Sequence, residues 1–313
     1  MTDKKIPFVG LHAHSVAGSI FDAIGYPDEH MDFCHKNGGR ALALTDHGNM
    51  NGFSHQFLHW QKMKSEGKDF KPIFGVEAYF LPSIDEWRDD YNRIKEDAKL
   101  AKSLAKAGDT SGATVEDEDA SKKAIKSVIN RRRHLVLLAQ SQTGLNNLFK
   151  LISESYKEEN FYRYPRVDYK LLDKYSEGVI AASACLGGPY AGNYWANREE
   201  GPEAVMEAMR ETSRQFVKIF GDRWYGELQW NNIPEQHELN QYIIKVCQEF
   251  DITLISTADS HYPDNEAWKD RELYKRLGWL GKGAPAWAED NTELPAGVEE
   301  IGYELYPKNG NQM

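Results

Sequence analysis

An α/β barrel is the fold class predicted by this chain of 313 residues, on three observations. Short apolar runs suited to buried strands alternate with stretches of helical character, the pattern of a parallel sheet covered by helices. The alternation repeats often enough for the sheet to close on itself. Histidines, acids and one cysteine interrupt the apolar runs mostly where strands end, and in a parallel barrel those ends share one rim.

The first strand is read in FVGLHAH, where His12 and His14 stand two apart and so face one side of an extended chain. PDEHMDFCHKNG is helical and stops at Gly38. RALALTDHG is the second strand and ends on Asp46 and His47; the amphipathic MNGFSHQFLHWQKMKSEG follows it. KPIFGVEAYFL, the third strand, carries Glu77 among apolar neighbours. HLVLLAQ, the fourth, opens on His134 and passes into the helix TGLNNLFKLISESYK. GVIAASACLGG with Cys185, RWYGELQW, and ITLISTADSHY with Asp259 and His261 complete the series. Glu77 and His134 sit less cleanly at strand ends than the others.

Two segments break the rhythm. From about 84 to 133 the chain is charged and rich in Ala and Lys, and is read as an inserted helical excursion with a flexible tip at GDTSGATVEDEDASKK. Beyond 278 the run LGKGAPAWAEDNTELPAGVEE is rich in Gly, Pro and acids and reads as a linker or a subsidiary lobe. The expected division is therefore a domain over 1–278 and a connector over 279–313.

Composition limits the functions available. An apolar fraction of 41%, with 8 Trp, 16 Tyr and 13 Phe, can build a core. The net charge of −10 excludes a protein that grips duplex DNA by its general surface. Nucleic acid could be held only locally, by a metal cleft or a small basic patch. Cys34, Cys185 and Cys247 are odd in number and far apart, which gives no disulfide framework. The opening MTDKKIPFVG has no secretory character, and no apolar run approaches the ~18 residues of a membrane span. A cytoplasmic protein with no membrane partner is expected.

Taken singly, the strand-end residues have bland readings. His-x-His alone is weak, Asp-His can be a helix cap beside a surface imidazole, and a lone Cys is usually a small buried hydrophobe. Glu77 is harder to set aside, because a buried carboxylate needs a partner. Together they describe a metal centre, since imidazole, carboxylate and thiolate suit zinc, manganese or iron better than magnesium or calcium. They are too many for one tetrahedral ion, so two or three divalent ions are expected, with Glu77 bridging. Two ions roughly 3.5–4 Å apart form the clamp of phosphoester hydrolysis. His30, His35, His55, His59 and His237 fall on helical stretches and receive no role.

The same residues carry a family resemblance. LHAHSVAGSIFDAIG, ALALTDHGNMNGF, PIFGVEAYF and HLVLLAQSQTGLNNLFKLIS resemble successive motifs of the PHP (polymerase and histidinol phosphatase) superfamily. FYRYPRVDYKLL, EGVIAASACLGGPYA, FGDRWYGELQWNNIPEQ and ITLISTADSHY are similar to its version at the N-terminus of bacterial DNA polymerase III alpha subunits. The resemblance implies a distorted TIM-like (β/α)7 barrel of PHP type with a helical insertion, and a tail, YELYPKNGNQM, leading toward an absent polymerase palm. It implies nine metal ligands: His12, His14, Asp22, His47, Glu77, His134, Cys185, Asp259 and His261. One ion would take His12, His14, Glu77 and Asp259 and hold the catalytic water. A second would share Glu77 with His134 and Cys185, and a third would take Asp22, His47 and His261.

The function this implies is a metal-dependent 3′–5′ DNA exonuclease of proofreading type, in a bacterial or phage-infected cell. Its substrate would be a single-stranded or mismatched 3′ end, and its partner a polymerase core. The alternatives are a small-molecule phosphatase similar to histidinol phosphatase and a metal-stabilised scaffold without activity. Arg131, Arg132 and Arg133, beside His134, read either as a solvated helix face or as a contact to the phosphate backbone.

Overall fold

The computed structural model describes residues 5–106, 115–279 and 304–313. In chain order the elements that frame the barrel are β1 (Val9–Gly10), α1 (Pro27–Lys36), β2 (Ala41–Leu44), α2 (Phe53–Ser65), β3 (Lys71–Phe80), α3 (Ile84–Lys106), α4 (Val115–Ile129) and β4 (Arg133–Ala139). There follow α5 (Gln142–Ser155), the small hairpin β5 (Phe161–Tyr162) and β6 (Tyr164–Pro165), α6 (Tyr169–Tyr175), β7 (Val179–Ala182), α7 (Pro189–Asn197) and α8 (Pro202–Phe220). The chain continues with β8 (Trp224–Gln229), α9 (Pro234–Phe250), β9 (Thr253–Thr257) and α10 (Trp268–Trp279).

Seven strands form one sheet in the order β1-β2-β3-β4-β7-β8-β9. The two ends meet just past β1 and β9, where Ala13 pairs with Ser260 in parallel. There His14 N–H donates to Ser260 O at 2.7 Å and Ser260 N–H to His12 O at 3.1 Å. The sheet is thus a nearly closed barrel, joined at the rim that carries the strand-end histidines.

The expectation of a wholly parallel sheet fails at β4, which runs antiparallel to both β3 and β7. The cause lies in the insertion. A single crossover helix returns the chain to the opposite end of a sheet, which gives parallel neighbours. Here two helices, α3 and α4, follow β3 and pack on each other, with the Trp87 indole N–H donating to Val128 O at 2.8 Å. The second helix brings the chain back to the rim it left, so β4 begins there. Tyr79 of β3 consequently faces His134 of β4 across the ladder. The VEDEDASKK half of the expected tip belongs to α4, while 107–114 lie outside the described residues.

Strand periodicity divides the core. Val76, Ala78 and Phe80 face outward with Leu135 and Leu137 and pack under α5–α9, together with Phe216, Trp224 and Tyr190. Ala43, Val136, Leu138, Ala182 and Ala184 face inward and fill the barrel. The small interior residues leave its rim end to polar side chains, and Glu77, of inward parity, is one of them. Residues 304–313, expected within a linker, pack back on the barrel: His261 N–H donates to Leu305 O and Gly310 N–H to Ile6 O, each at 2.8 Å. Residues 280–303, the greater part of the expected connector, lie outside the described residues. Among the described residues no helix is long and apolar enough to cross a membrane.

Candidate metal centre

All nine side chains singled out in the sequence meet at one rim. His12 and His14 follow β1, with Nε2 atoms 3.1 Å apart. His12 Nε2 lies 3.3 Å from both Glu77 Oε1 and Asp259 Oδ1. His14 Nε2 lies 3.2 Å from Asp259 Oδ1 and 3.6 Å from Glu77 Oε2. Four donors around a tetrahedral ion with bonds of ~2.1 Å stand about 3.4 Å apart, so the spacing of this group fits an ion.

A second group adjoins it through Glu77. His134 Nδ1 is 3.2 Å from Glu77 Oε1 and 3.5 Å from Cys185 Sγ, and that sulfur is 3.9 Å from the same carboxylate oxygen. The antiparallel course of β4 explains why His134, the second residue of its strand, reaches the rim. In the third group Asp22 Oδ2 is 2.9 Å from His47 Nε2 and 3.4 Å from His261 Nε2. His47 also links this group to the centre, since its Nδ1 approaches Glu77 Oε2 to 2.6 Å without the alignment of a hydrogen bond.

Orphaned atoms support the fit. His47 Nδ1, Glu77 Oε2 and Asp259 Oδ1 are buried with no hydrogen-bond partner, a condition that costs free energy unless something else satisfies them. Local backbone strain points the same way. Among the described residues, five non-glycine residues have left-handed φ, and three are at this site: Phe21 just before Asp22, Ala184 just before Cys185, and Asp259 itself. Each costs of order 1–3 kcal/mol and persists only where its surroundings hold it.

The supporting shell is built of residues that the sequence did not single out for the site, with one exception. Glu227 of β8 is wholly buried, and its Oε1 receives the His12 Nδ1 proton at 2.7 Å, the Thr257 hydroxyl at 2.6 Å and the Gln229 amide at 3.1 Å. That bond fixes the His12 tautomer and leaves Nε2 as a donor to the cluster. His261 Nδ1 likewise donates to Asp259 O at 2.7 Å, which turns its Nε2 inward. Arg271 of α10 pins Asp22 twice, at its Oδ1 (2.8 Å) and at its backbone carbonyl (2.6 Å). The exception, Asp46, is no part of the inner ring: it accepts from Ser15 N–H, the Ser15 hydroxyl and the Ser19 hydroxyl, and so ties the loop after β1 to the end of β2.

The electrostatics follow from this crowding. Burial alone would lower His12, but the carboxylates of Asp259, Glu227 and Glu77 outweigh it and hold the imidazole well above its ordinary value. His47 is treated the same way by Glu77 and Asp22 and rises to about 10. Burial and the charges of His47 and His261 push His14 the other way, well below. Burial acts against ionisation of Glu77, yet His134, His47 and His12 keep it well below the usual carboxylate range. Near pH 7, His12 and His47 therefore carry protons that a metal must displace. Metal binding is expected to release acid, and affinity to rise with pH through the neutral and mildly alkaline range, as His12, His47 and the Cys185 thiol, which burial and the charges of Glu77 and Asp259 hold well above its ordinary value, give up their protons. A pH indicator in weakly buffered protein titrated with zinc checks this; binding without acid release contradicts it.

The arginines do not form a helix face. Arg131 and Arg132 lie in the turn after α4, and Arg133 is the first residue of β4. Arg131 pairs with Asp90 at 2.6 Å. Arg132 lies over Tyr164, and all three arginines line a cavity of about 550 Å³ beside α7.

The family model described as PHP domain matches residues 10–231. The chain is 37% identical over 259 residues, 83% of its length, to the DNA polymerase III subunit alpha of Aquifex aeolicus, of which it spans 18%. It is 32% identical over 306 residues, 98% of its length, to the DNA polymerase III subunit alpha of Borreliella burgdorferi, of which it spans 22%. The chain thus spans about a fifth of the length of these curated relatives. A solved amidohydrolase from Chromobacterium violaceum with bound sulfate overlaps 85% of this chain and 96% of its own, at 14% identity and a TM-score of 0.39.

Proposed function

We propose that this chain, which belongs to the PHP domain family, is a metal-dependent phosphoesterase that removes nucleotides from the 3′ end of DNA beside a replicative polymerase. The observation that carries the reading is the meeting of nine donors at one rim of the barrel, with the buried carboxylate of Glu77 touching four of the histidines. The likeness to DNA polymerase III alpha subunits supports a DNA substrate and a polymerase partner.

Two to three ions, zinc, manganese or iron, suit this donor set. One would be held by His12, His14, Glu77 and Asp259, one by Glu77, His134 and Cys185, and one by Asp22, His47 and His261. When bound, such ions polarise a phosphoryl oxygen, lower the pKa of a water and steady the leaving oxygen. The protein's own part is to hold the donors still. Glu227 orients His12, the Asp259 carbonyl orients His261, and Arg271 fixes Asp22. Glu77 keeps its charge against burial because imidazoles surround it. Preorganisation of this kind spares reorganisation during reaction.

A single-stranded oligonucleotide labelled at either end tests the reading. With manganese present, the 3′ label is expected to leave first as a mononucleotide, while the 5′-labelled strand shortens through a ladder, and chelator should stop both. Release from the 5′ end first, or degradation indifferent to chelator, would overturn it. Turnover of a small phosphate monoester with no action on the oligonucleotide would favour the phosphatase alternative.

A further inference from the structure

Outside the ring of donors, one pair of positive charges goes unanswered. The Arg132 guanidinium lies 3.8 Å from the centre of the Tyr164 ring and 5.2 Å from that of Tyr79. Tyr79 walls the cluster: its ring is 5.7 Å from that of His134 and nearly parallel to that of His47 at 6.2 Å. One aromatic ring thus separates the guanidinium from two of the donors. Its hydrogen bonds are two long ones to Asn130, at 3.4 and 3.5 Å, and its Nε is buried without a partner.

The neighbouring Arg166 sharpens the point. It is fully buried, stacked 4.0 Å over Trp87, and donates to the carbonyls of Ile129, Tyr162 and Tyr164. Among the described residues no carboxylate pairs with either arginine. Burial, with the Arg132 charge nearby, lowers Arg166 to about 10. Buried or half-buried charges are normally matched by an acid or a ligand, and Arg131, one residue away, has Asp90. A guanidinium held over aromatic rings leaves N–H groups at its edge for an oxyanion, and its fork of donors matches a phosphate.

We infer that Arg132, seated on Tyr164 and Tyr79, binds the phosphodiester next to the one held at the cluster, so that the site selects a nucleotide chain over an isolated phosphate ester. This rests on the phosphoesterase reading above. Arg166, behind Arg132, acts as a positioning residue that keeps the turn rigid through its three carbonyl contacts. Arg131 is excluded by its pairing with Asp90, and Arg133, though it lines the same cavity beside α7 as Arg132, is turned toward Gly192, its Nε 2.3 Å from the position a Cβ would take there.

Two measurements test this. Anisotropy of a fluorescein-labelled phosphorothioate oligothymidylate, which resists hydrolysis on the metal-loaded protein, should show binding weakened about tenfold by Arg132→Ala, with a smaller salt dependence. Arg132→Lys should recover part of the affinity, and Arg131→Ala should cost less than Arg132→Ala. With manganese, Arg132→Ala should raise KM for the oligonucleotide and lower the preference for it over bis(4-nitrophenyl) phosphate. Wild-type affinity and preference in a folded Arg132→Ala variant would overturn the subsite and leave the phosphoesterase standing. Failure of the manganese-loaded wild type to cleave either ester would instead overturn the phosphoesterase reading, and the subsite with it.

Discussion

Glu77→Gln is expected to lower activity by at least about 10³-fold and to remove most of the bound metal, since it takes a shared ligand from the centre. No other side chain at the rim meets so many donors: Glu77 lies within 3.6 Å of His12, His14, His47 and His134. Glutamine keeps the volume, so packing is undisturbed. It loses the charge, however, and turns an amide N–H toward the protonated imidazoles of His12 and His47, whose own N–H groups need an acceptor. Elemental analysis of the purified variant beside wild type, with a far-ultraviolet spectrum to confirm folding, checks the outcome. A folded variant that retained its metals and its rate would show that Glu77 does not bridge the centre.

The second large effect is expected one layer further out. Glu227→Gln should weaken metal binding by about 10–100-fold, the usual cost of losing a carboxylate behind a ligating histidine. Glu227 touches none of the other donors, but its 2.7 Å bond to His12 Nδ1 decides which imidazole nitrogen carries the proton. With an amide in its place the His12 ring is free to turn or to exchange tautomers, and Nε2 is presented only part of the time. Competition against a chromophoric chelator measures the affinity directly. Unchanged affinity would mean that Thr257 and Gln229, not His12, are the reason for the buried acid.

Glu77 and Glu227 also show what the sequence discloses and what it hides. Both are acids in apolar strands, and the same desolvation argument applies to each. Glu77 was legible because His and Asp at neighbouring strand ends gave it company. Glu227 in YGELQW stood without such neighbours in the sequence, and its link to His12 spans 215 positions. Eight of the nine donors could be read because residue type and strand position suffice to gather them; Asp22, in the loop after β1, came only with the family resemblance, and Asp46, which met the same criteria, belongs to the supporting shell. The direction of β4 could not be read, since HLVLLAQ has the same apolar pattern whichever way it runs. What sets its direction is the number of helices in the insertion. The arginines misled for a related reason: α4 ends at Ile129, just before them, and neither Pro nor Gly marks the stop. The left-handed residues Phe21, Ala184 and Asp259 carry no mark at all, because only tertiary contacts hold them there.

The reversed strand has one more consequence. Because β4 starts where β3 ends, the paired helices α3 and α4 stand with both feet on the rim that carries the cluster, attached to the barrel along a single edge. One foot is held by Ile84 N–H on Asp168, the other by Val128 on the Trp87 indole. Turns of helix added or removed between these feet shift no strand register, and a longer loop between fixed ends costs little closure entropy. The helical pair and the barrel that carries the cluster can therefore be altered independently. A designer who wanted to attach a new element beside this site would rebuild the pair and leave the barrel alone.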